Sequence, residues 1–260
     1  MALDEAIVRG VETGDSQPTV RVYEWDAPSV TVGFSQAAAR VLDIDGCRRD
    51  GVGVVRRPTG GRSVFHFDDL SYSVTAHRND EHFGGSTRNS FRAVNEVLCR
   101  ALAMIGIVAE PGGHSFSSAA TAGVSGLPCF ADGTPFEIAV GGKKIVGSAR
   151  RLFGQVFLQQ GTILAGPAYA RILDYLGDSS TRSAYGRALV ERSTSLSSVT
   201  GGGIDVESLK ASIYQAFSHA LDKKIRIGGP SGGELEAAER IIEAIGKERQ
   251  GERNNEPRDR

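Results

Sequence analysis

Residues 56–66 read RRPTGGRSVFH, and residues 70–78 continue with LSYSVTAHR. The first stretch is a basic loop around Gly60 and Gly61, and the second alternates apolar and polar side chains as a half-buried strand does. Two glycines between strands let the backbone approach a ligand and direct its N–H groups at an acceptor. The flanking arginines suit a carboxylate, a carbonyl or a phosphate. The same residues also fit a tight hairpin turn whose arginines are only solvated.

Outward from this loop, the hydrophobic periodicity predicts short strands and amphipathic helices. Predicted strands cover residues 19–25, 29–34, 52–57, 63–66, 70–78, 136–140, 143–150 and 155–164. Predicted helices cover residues 2–11, 87–105, 168–176, 206–221 and 234–247, with residues 37–50 helical in part. Residues 111–128 are rich in Gly, Ser and Ala and indicate a long, mobile connection. Because no regular βαβ units occur, we predict an α+β fold with a mainly antiparallel sheet flanked by helices.

Composition limits the classes of function. The chain has 260 residues, and its 30 Lys and Arg against 31 Asp and Glu give a net charge of −1, which argues against nucleic acid as a partner. No apolar run approaches the roughly 18 residues of a membrane span, so no membrane partner is expected. The start of the chain, with Asp4 and Glu5, resembles neither a signal peptide nor a transit peptide. We therefore expect a soluble, cytoplasmic protein.

A second motif is the predicted hairpin that turns at residues 141–142, both glycine. In a strand over residues 143–150, side chains alternate between faces. If the side chain of Lys144 enters a pocket whose wall contains the small residues Gly147 and Ala149, its ammonium places a concentrated positive charge there. The alternative is an ordinary hairpin with exposed lysines.

The third motif concerns the cysteines Cys47, Cys99 and Cys129, which are odd in number and form no CxxC pair. Cys129 ends the Gly/Ser-rich stretch, where a substrate has access, and Lys144 follows 15 residues later. A nearby cation lowers the pKa of a thiol and makes it reactive. A lone cysteine is, however, more often a small buried hydrophobic residue.

Several common motifs are absent from the sequence. The chain has no Walker A loop, no complete GxGxxG, no HExxH and no GxSxG. The nucleotide-binding, zinc-protease and serine-hydrolase hypotheses therefore lose their main support.

An ordered set of segments resembles the lipoate-protein ligase and octanoyltransferase superfamily, that is, the biotin/lipoate protein ligase catalytic domain. These segments are residues 1–6 (MALDEA), 56–66, 70–74, Cys129-Phe130, 144–149 (KIVGSA) and 159–164 (QQGTIL). The resemblance covers about residues 1–221 and is strongest to the cysteine-dependent octanoyltransferases. We therefore expect an acyltransferase domain over residues 1–228. Residues 229–260 are expected to form a C-terminal helix and a disordered tail, because residues 249–260 are highly charged and nearly devoid of apolar side chains.

The resemblance also implies a reaction. Cys129 is expected to accept an octanoyl group from octanoyl-acyl carrier protein as a thioester and to pass it to the lysine of a lipoyl domain, such as that of glycine cleavage H protein. Lys144 is expected to lower the pKa of the thiol and polarise the carbonyl. No metal and no cofactor are implied. The implied substrate-binding residues are Arg57, Thr59, Gly60, Gly61, Arg62, Ser63, His66, Gly147, Ser148, Ala149, Gly161 and Thr162.

The sequence departs from the family pattern at two positions. The family usually has histidine before the glycine of the last sheet strand, where this chain has Gln160, and glutamine after Gly-Ser-Ala, where it has Arg150. Three alternatives remain open. The main one is an ATP-dependent lipoate-protein ligase that forms a lipoyl-adenylate, with Cys129 incidental. The others are an amidotransferase between lipoyl domains and a relative that binds without turnover, which predicts no covalent adduct.

Overall fold

The computed structural model describes residues 1–111, 137–177 and 179–254. Its strands are β1 Thr19–Tyr23, β2 Ser29–Val32, β3 Gly53–Arg56, β4 Val64–His66, β5 Leu70–His77, β6 Glu110–Pro111, β7 Ile138–Val140, β8 Lys143–Phe153 and β9 Val156–Ile163. Its α-helices are α1 Ala2–Thr13, α2 Ala38–Val41, α3 Ile44–Arg49, α4 Thr87–Met104, α5 Ser179–Arg192, α6 Leu196–Thr200, α7 Val206–Ala220 and α8 Gly232–Asn254. A 3₁₀ helix covers Pro167–Tyr175.

The strands form two sheets. Six of them follow the order β1-β5-β9-β8-β7-β6, with every pairing antiparallel. The other three follow the order β3-β2-β4, in which β2 and β3 are parallel and β2 and β4 antiparallel. The predicted α+β class with a mainly antiparallel sheet is therefore confirmed. The turn between β1 and β2 separates two sheets rather than closing a hairpin.

Strand β5 shows how side-chain alternation positions the sheet. Leu70, Tyr72 and Val74 lie in the main apolar core, where helices α4 and α7 pack against each other. On the opposite face, Ser71 and Ser73 are buried beneath other polar groups, and helix α1 contacts this strand. One face of the sheet is therefore an apolar core, and the other carries buried polar side chains.

A second apolar core lies under the smaller sheet. The 3₁₀ helix contacts β4, and the ring of Phe65 stacks on that of Tyr175 at 5.9 Å between centroids. Helix α5 adds Tyr185 and Leu189 to the same core. This arrangement fixes the position of β4, and with it the end of the loop that precedes it.

The structure extends some predicted boundaries. The last helix runs to Asn254, so residues 249–254 of the predicted tail are helical, consistent with their content of good helix formers. Most of the predicted connection at residues 111–128 lies outside the described residues, as does Phe136 of the predicted strand. Among the described residues, no helix is both long and apolar enough to cross a membrane.

Candidate active site

A cavity of about 370 Å³, partly open to solvent, lies on the polar face of the main sheet and extends to the smaller sheet. This volume includes the space that is open to solvent. The lining residues are Met1, Tyr23, Thr31, Arg57, Val64, His66, Ser71, Gly147, Ser148, Ala149, Gln160, Gly161 and Thr162. The cavity thus brings together residues that are far apart in the sequence and come from both sheets.

The central wall of the cavity consists of two paired strand segments. Gly147 on β8 faces Thr162 on β9, Ser148 faces Gly161, and Ala149 faces Gln160. On the face that lines the cavity, the absent side chain of Gly147 and the small one of Ala149 leave the space that the cavity occupies.

The position of Gly161 also has no room for a side chain. A Cβ atom added at this position would lie 2.3–2.5 Å from atoms of the Tyr72 ring. The hydroxyl of Tyr72 forms a hydrogen bond of 2.6 Å with Ser148 Oγ, and burial raises the pKa of this tyrosine. Gly161 therefore allows the tyrosine to lie against the sheet and hold the Ser148 side chain.

The loop over residues 56–63, which we call the Gly-Gly loop, is held by the buried guanidinium of Arg57. Nε and Nη2 of Arg57 donate to the Gly60 carbonyl at 3.0 and 2.8 Å, and Nη2 also donates to the Arg62 carbonyl at 2.6 Å. Nη1 donates to Thr31 Oγ1 at 3.1 Å. All three nitrogens of Arg57 are therefore engaged in shaping the loop.

His66 forms the other end of the same hydrogen-bond chain. Its Nδ1 lies 2.8 Å from Asp69 Oδ2, and its Nε2 lies 2.9 Å from Thr31 Oγ1. Because an arginine only donates, Thr31 Oγ1 accepts from Arg57 and its hydroxyl proton is available to His66 Nε2. The imidazole of His66 is therefore held at both ring nitrogens. The Trp25 ring stacks on His66 at 4.4 Å.

On the α1 side of the cavity lies a fully buried carboxylate, that of Asp4. It accepts hydrogen bonds from Arg21 and, at 2.8 Å, from Ser73. Gln160 Nε2 donates to it at 2.7 Å. Burial and the neighbouring Asp4 charge raise the pKa of Tyr23 well above its usual value.

Lys144 lies on β8 beside the wall but is not part of the cavity lining. Its Nζ is 2.5 Å from Glu137 Oε1, and the side chains are only 3% and 5% exposed. A buried ammonium needs such a counter-ion. The structure therefore places the lysine in a buried ion pair.

The predicted site residues fall into three groups. Arg57, His66, Gly147, Ser148, Ala149, Gly161 and Thr162 line the cavity. Thr59, Gly60, Gly61, Arg62 and Ser63 belong to the Gly-Gly loop but do not line the cavity, and Thr59 and Ser63 are fully buried. Cys129 lies outside the described residues.

Sequence reasoning missed several polar residues of this site. Thr31, Asp69 and Asp4 become neighbours of the cavity only through sheet pairing and helix packing. Glu137 had a local signal, because an acid and a lysine that flank a Gly-Gly turn are brought close by the hairpin. Among the described residues, no cluster of three or more His, Cys, Asp or Glu side chains is arranged to hold a metal ion.

The structure defines an α+β domain in which a cavity lies on the polar face of an antiparallel sheet and one end of a glycine loop contributes to its lining. The solved structure of a bi-partite lipoate protein ligase from Thermoplasma acidophilum has this fold, with a TM-score of 0.75, 24% identity, and coverage of 93% of this chain and 86% of that one. A crystal structure of lipoate-protein ligase A bound with ATP gives a TM-score of 0.72 at 26% identity, covering 93% and 87% of the two chains.

This chain belongs to the lipoyl protein ligase A/B catalytic domain family, which it matches over residues 1–218. Octanoyltransferase LipM of Kyrpidia tusciae is 32% identical, with coverage of 93% of this chain and 89% of the relative. Octanoyltransferase LipM of Symbiobacterium thermophilum is 31% identical, with coverage of 94% and 89%. These relatives support an acyltransferase activity for this chain.

Proposed function

We propose that this enzyme transfers an octanoyl group from octanoyl-acyl carrier protein to the lysine of a lipoyl domain, such as that of glycine cleavage H protein. The proposal rests on the similarity to octanoyltransferases over most of both chains. The structural observation that carries it is the character of the cavity wall.

Three polar side chains that line the cavity direct their polar atoms at neighbouring protein groups. Arg57 is engaged with loop carbonyls, His66 with Asp69 and Thr31, and Gln160 with Asp4. What remains facing the cavity is largely carbon, including Gly147 and Ala149. An octanoyl chain gains about 0.8 kcal/mol for each methylene that it buries, which favours a carbon-lined site.

The proposed chemistry is two successive acyl transfers through Cys129. The Cys129 thiol gives up its proton and its sulfur attacks the donor carbonyl; a new C–S bond forms, the donor's C–S bond breaks, and the departing donor sulfur takes up that proton. The neutral lysine amine of the lipoyl domain then attacks this thioester; a C–N bond forms, the Cys129 C–S bond breaks, and the proton lost by the amine returns to the Cys129 sulfur. No electrons are gained or lost, and no nucleotide is consumed.

Lys144 is the proposed partner of this cysteine. Its ammonium is held in the buried pair with Glu137, the residue directly before β7. Glu137 follows Cys129 by eight residues in the sequence. A fixed positive charge favours the thiolate over the thiol and stabilises the oxyanion of the tetrahedral intermediate. The cysteine assignment itself rests on the family resemblance.

The alternative is an ATP-dependent lipoate-protein ligase, because a ligase bound with ATP shares the fold. In that reaction a cation near the Gly-Gly loop is needed to pair with the adenylate phosphate. The guanidinium of Arg57 already donates from all three nitrogens to the loop and Thr31, so Arg57 is not the cation that this reaction needs.

Intact-protein mass spectrometry distinguishes the two. The purified protein is mixed with octanoyl-acyl carrier protein without ATP, and the adduct is treated with hydroxylamine and mapped. We expect a hydroxylamine-sensitive octanoyl adduct on Cys129 that is absent from Cys129→Ser and retained in Cys99→Ser. No adduct, together with transfer that requires ATP and lipoate, would identify a ligase instead.

A further inference from the structure

We propose that Gln160 is a positioning residue that fixes the Gly-Gly loop over the cavity by linking Thr59 to the buried carboxylate of Asp4. The inference deepens the proposed function, on which its kinetic part rests. It concerns a residue at the position where the family usually has histidine.

The first half of the link is the bond between Gln160 and Asp4. The Asp4 carboxylate is fully buried, and burial of a charge is costly unless hydrogen bonds satisfy it. Arg21 and Ser73 donate to Oδ1, whereas Gln160 Nε2 donates to Oδ2 at 2.7 Å. Because a carboxylate only accepts, this contact fixes which end of the Gln160 amide is the NH₂ group.

The second half is the bond between Gln160 and Thr59. With its NH₂ group on Asp4, the amide presents Oε1 to the loop, and Thr59 Oγ1 donates to it at 2.8 Å. Thr59 is fully buried, and its carbonyl accepts from the Phe34 amide at 2.9 Å. The residue before the two glycines is therefore held at both its side chain and its backbone.

The loop is thus fixed from two directions. Arg57 holds the carbonyls of Gly60 and Arg62 from one side, and the Thr59–Gln160–Asp4 link ties the loop to strand β9 and helix α1. Gln160 also lines the cavity, so this link sets the distance between the loop and the cavity wall. A small displacement of groups around a reacting centre lowers the rate about a hundredfold.

Only some side chains can make both bonds. An amide donates at one end and accepts at the other, and a neutral imidazole does the same through its two nitrogens. Leucine makes neither bond, so Asp4 Oδ2 loses the amide donor and the Thr59 hydroxyl loses its acceptor, while Arg21 and Ser73 still donate to Asp4 Oδ1. Gln160→Leu therefore breaks the link, and Gln160→His is the conservative variant.

The test compares four single variants, of which Gln160→His is the conservative one, and the double variant Gln160→Leu with Thr59→Val. Gln160→Leu removes both bonds, and Thr59→Val removes the loop bond but leaves Asp4 paired with the amide. Ser73→Ala is the matched control, because it removes a bond to Asp4 of 2.8 Å without touching the loop. The readouts are hydrogen–deuterium exchange of the peptide covering residues 56–66 and kcat and KM for octanoyl transfer from octanoyl-acyl carrier protein.

We expect Gln160→Leu and Thr59→Val to speed exchange in residues 56–66 and to lower kcat about tenfold to a hundredfold, with KM changed less than threefold. The double variant should be no worse than Gln160→Leu, because both changes break the same link. Gln160→His should recover most of kcat, and Ser73→Ala should leave exchange and kcat within twofold of the wild type.

Exchange of residues 56–66 at the wild-type rate in both Gln160→Leu and Thr59→Val would overturn the inference. Exchange accelerated equally in Ser73→Ala would also overturn it, as would a kcat of Gln160→His as low as that of Gln160→Leu. Where Gln160→Leu fails to fold, Thr59→Val alone decides the matter. Exchange requires no turnover, so absence of octanoyl transfer by the wild type would count against the proposed function while leaving this test intact.

Discussion

At the scale of single residues, the two cysteines in the described part of the chain, Cys47 and Cys99, both have thiols with a raised pKa. Burial and the neighbouring Glu96 raise the pKa of the Cys99 thiol to about 11, and burial together with Asp43 raises that of Cys47. Both thiols therefore stay protonated at neutral pH, and protonated thiols are poor nucleophiles. These two cysteines are internal references for the reactivity of Cys129.

Lys144 is predicted to lower the pKa of the Cys129 thiol. Lys144→Met should therefore raise that pKa by about 1 to 3, because a nearby positive charge no longer stabilises the thiolate. The measurement is the pH dependence of iodoacetamide alkylation at each cysteine, read by peptide mass spectrometry. The alkylation midpoint of Cys129 should move to higher pH, while that of Cys99 stays near 11.

The buried partner of the lysine sets the control for this experiment. Lys144→Met leaves the Glu137 carboxylate buried without its counter-ion, which destabilises the fold independently of any effect on the thiol. Lys144→Met combined with Glu137→Gln removes that charge and should restore stability but not the low pKa. An unchanged alkylation midpoint in both variants would show that the lysine does not act on the thiol.

At the scale of elements, the hairpin of β7 and β8 depends on its turn. Gly141 and Gly142 have φ angles of +55° and +75°, the left-handed values that a two-residue turn of this kind requires. Gly141→Val should lower the free energy of unfolding by about 1–2 kcal/mol, because a side chain with a branched Cβ is strained there. Gly141→Asn should change it by less, since asparagine tolerates this conformation.

Urea denaturation of the two variants checks this prediction, and Gly246→Ala on helix α8 is a reference for replacing a glycine in open space. A valine variant as stable as the wild type would show that the turn is not held in the left-handed conformation. The hairpin also determines how Lys144 meets Glu137, so the valine variant tests whether the ion pair depends on the turn.

The elements that the sequence predicted well are those with a local signal. Strand β5 alternates apolar and polar residues, helix α4 has a continuous apolar stripe, and the Gly-Gly turn marks the hairpin. Helix α5 was not predicted, because its polar sequence has little apolar periodicity and its buried residues, such as Tyr185 and Leu189, only join a core formed by other elements.

At the scale of the whole molecule, sequence reasoning is limited by contacts between residues that are far apart in the sequence. Thr59, Gln160 and Asp4 form one hydrogen-bonded link, yet they come from a loop, a strand and the first helix. Spacing along the chain carries no information about such a link, because sheet register and helix packing create it. The loop and strand segments were recognisable as motifs, whereas their polar partners were visible only in the assembled fold.

The same long-range packing makes the C-terminal helix part of the support of the site. Helix α8 packs on α1, where Ala238 and Ile241 lie against Ala6 in a small apolar cluster, and Ser16 donates to Glu234 at 2.8 Å. Ile241 is 5% exposed, whereas its neighbour Ile242 is 60% exposed. These two isoleucines are a matched pair for testing how much the packing of α8 on α1 contributes to the free energy of unfolding.

Ile241→Ala should lower the free energy of unfolding by about 2 kcal/mol or more, and Ile242→Ala by less than about 0.5 kcal/mol, because only the first empties a packed site.

Removal of residues 249–260 leaves the contacts of Ala238 and Ile241 with α1 in place and should preserve transfer activity. Removal of residues 229–260 uncovers Ala6 and loosens the helix that carries Asp4, so both thermal stability and kcat should fall. Full activity after the longer deletion would show that α1 holds Asp4 without α8, and a loss after the shorter one would assign a role to the charged end of the chain.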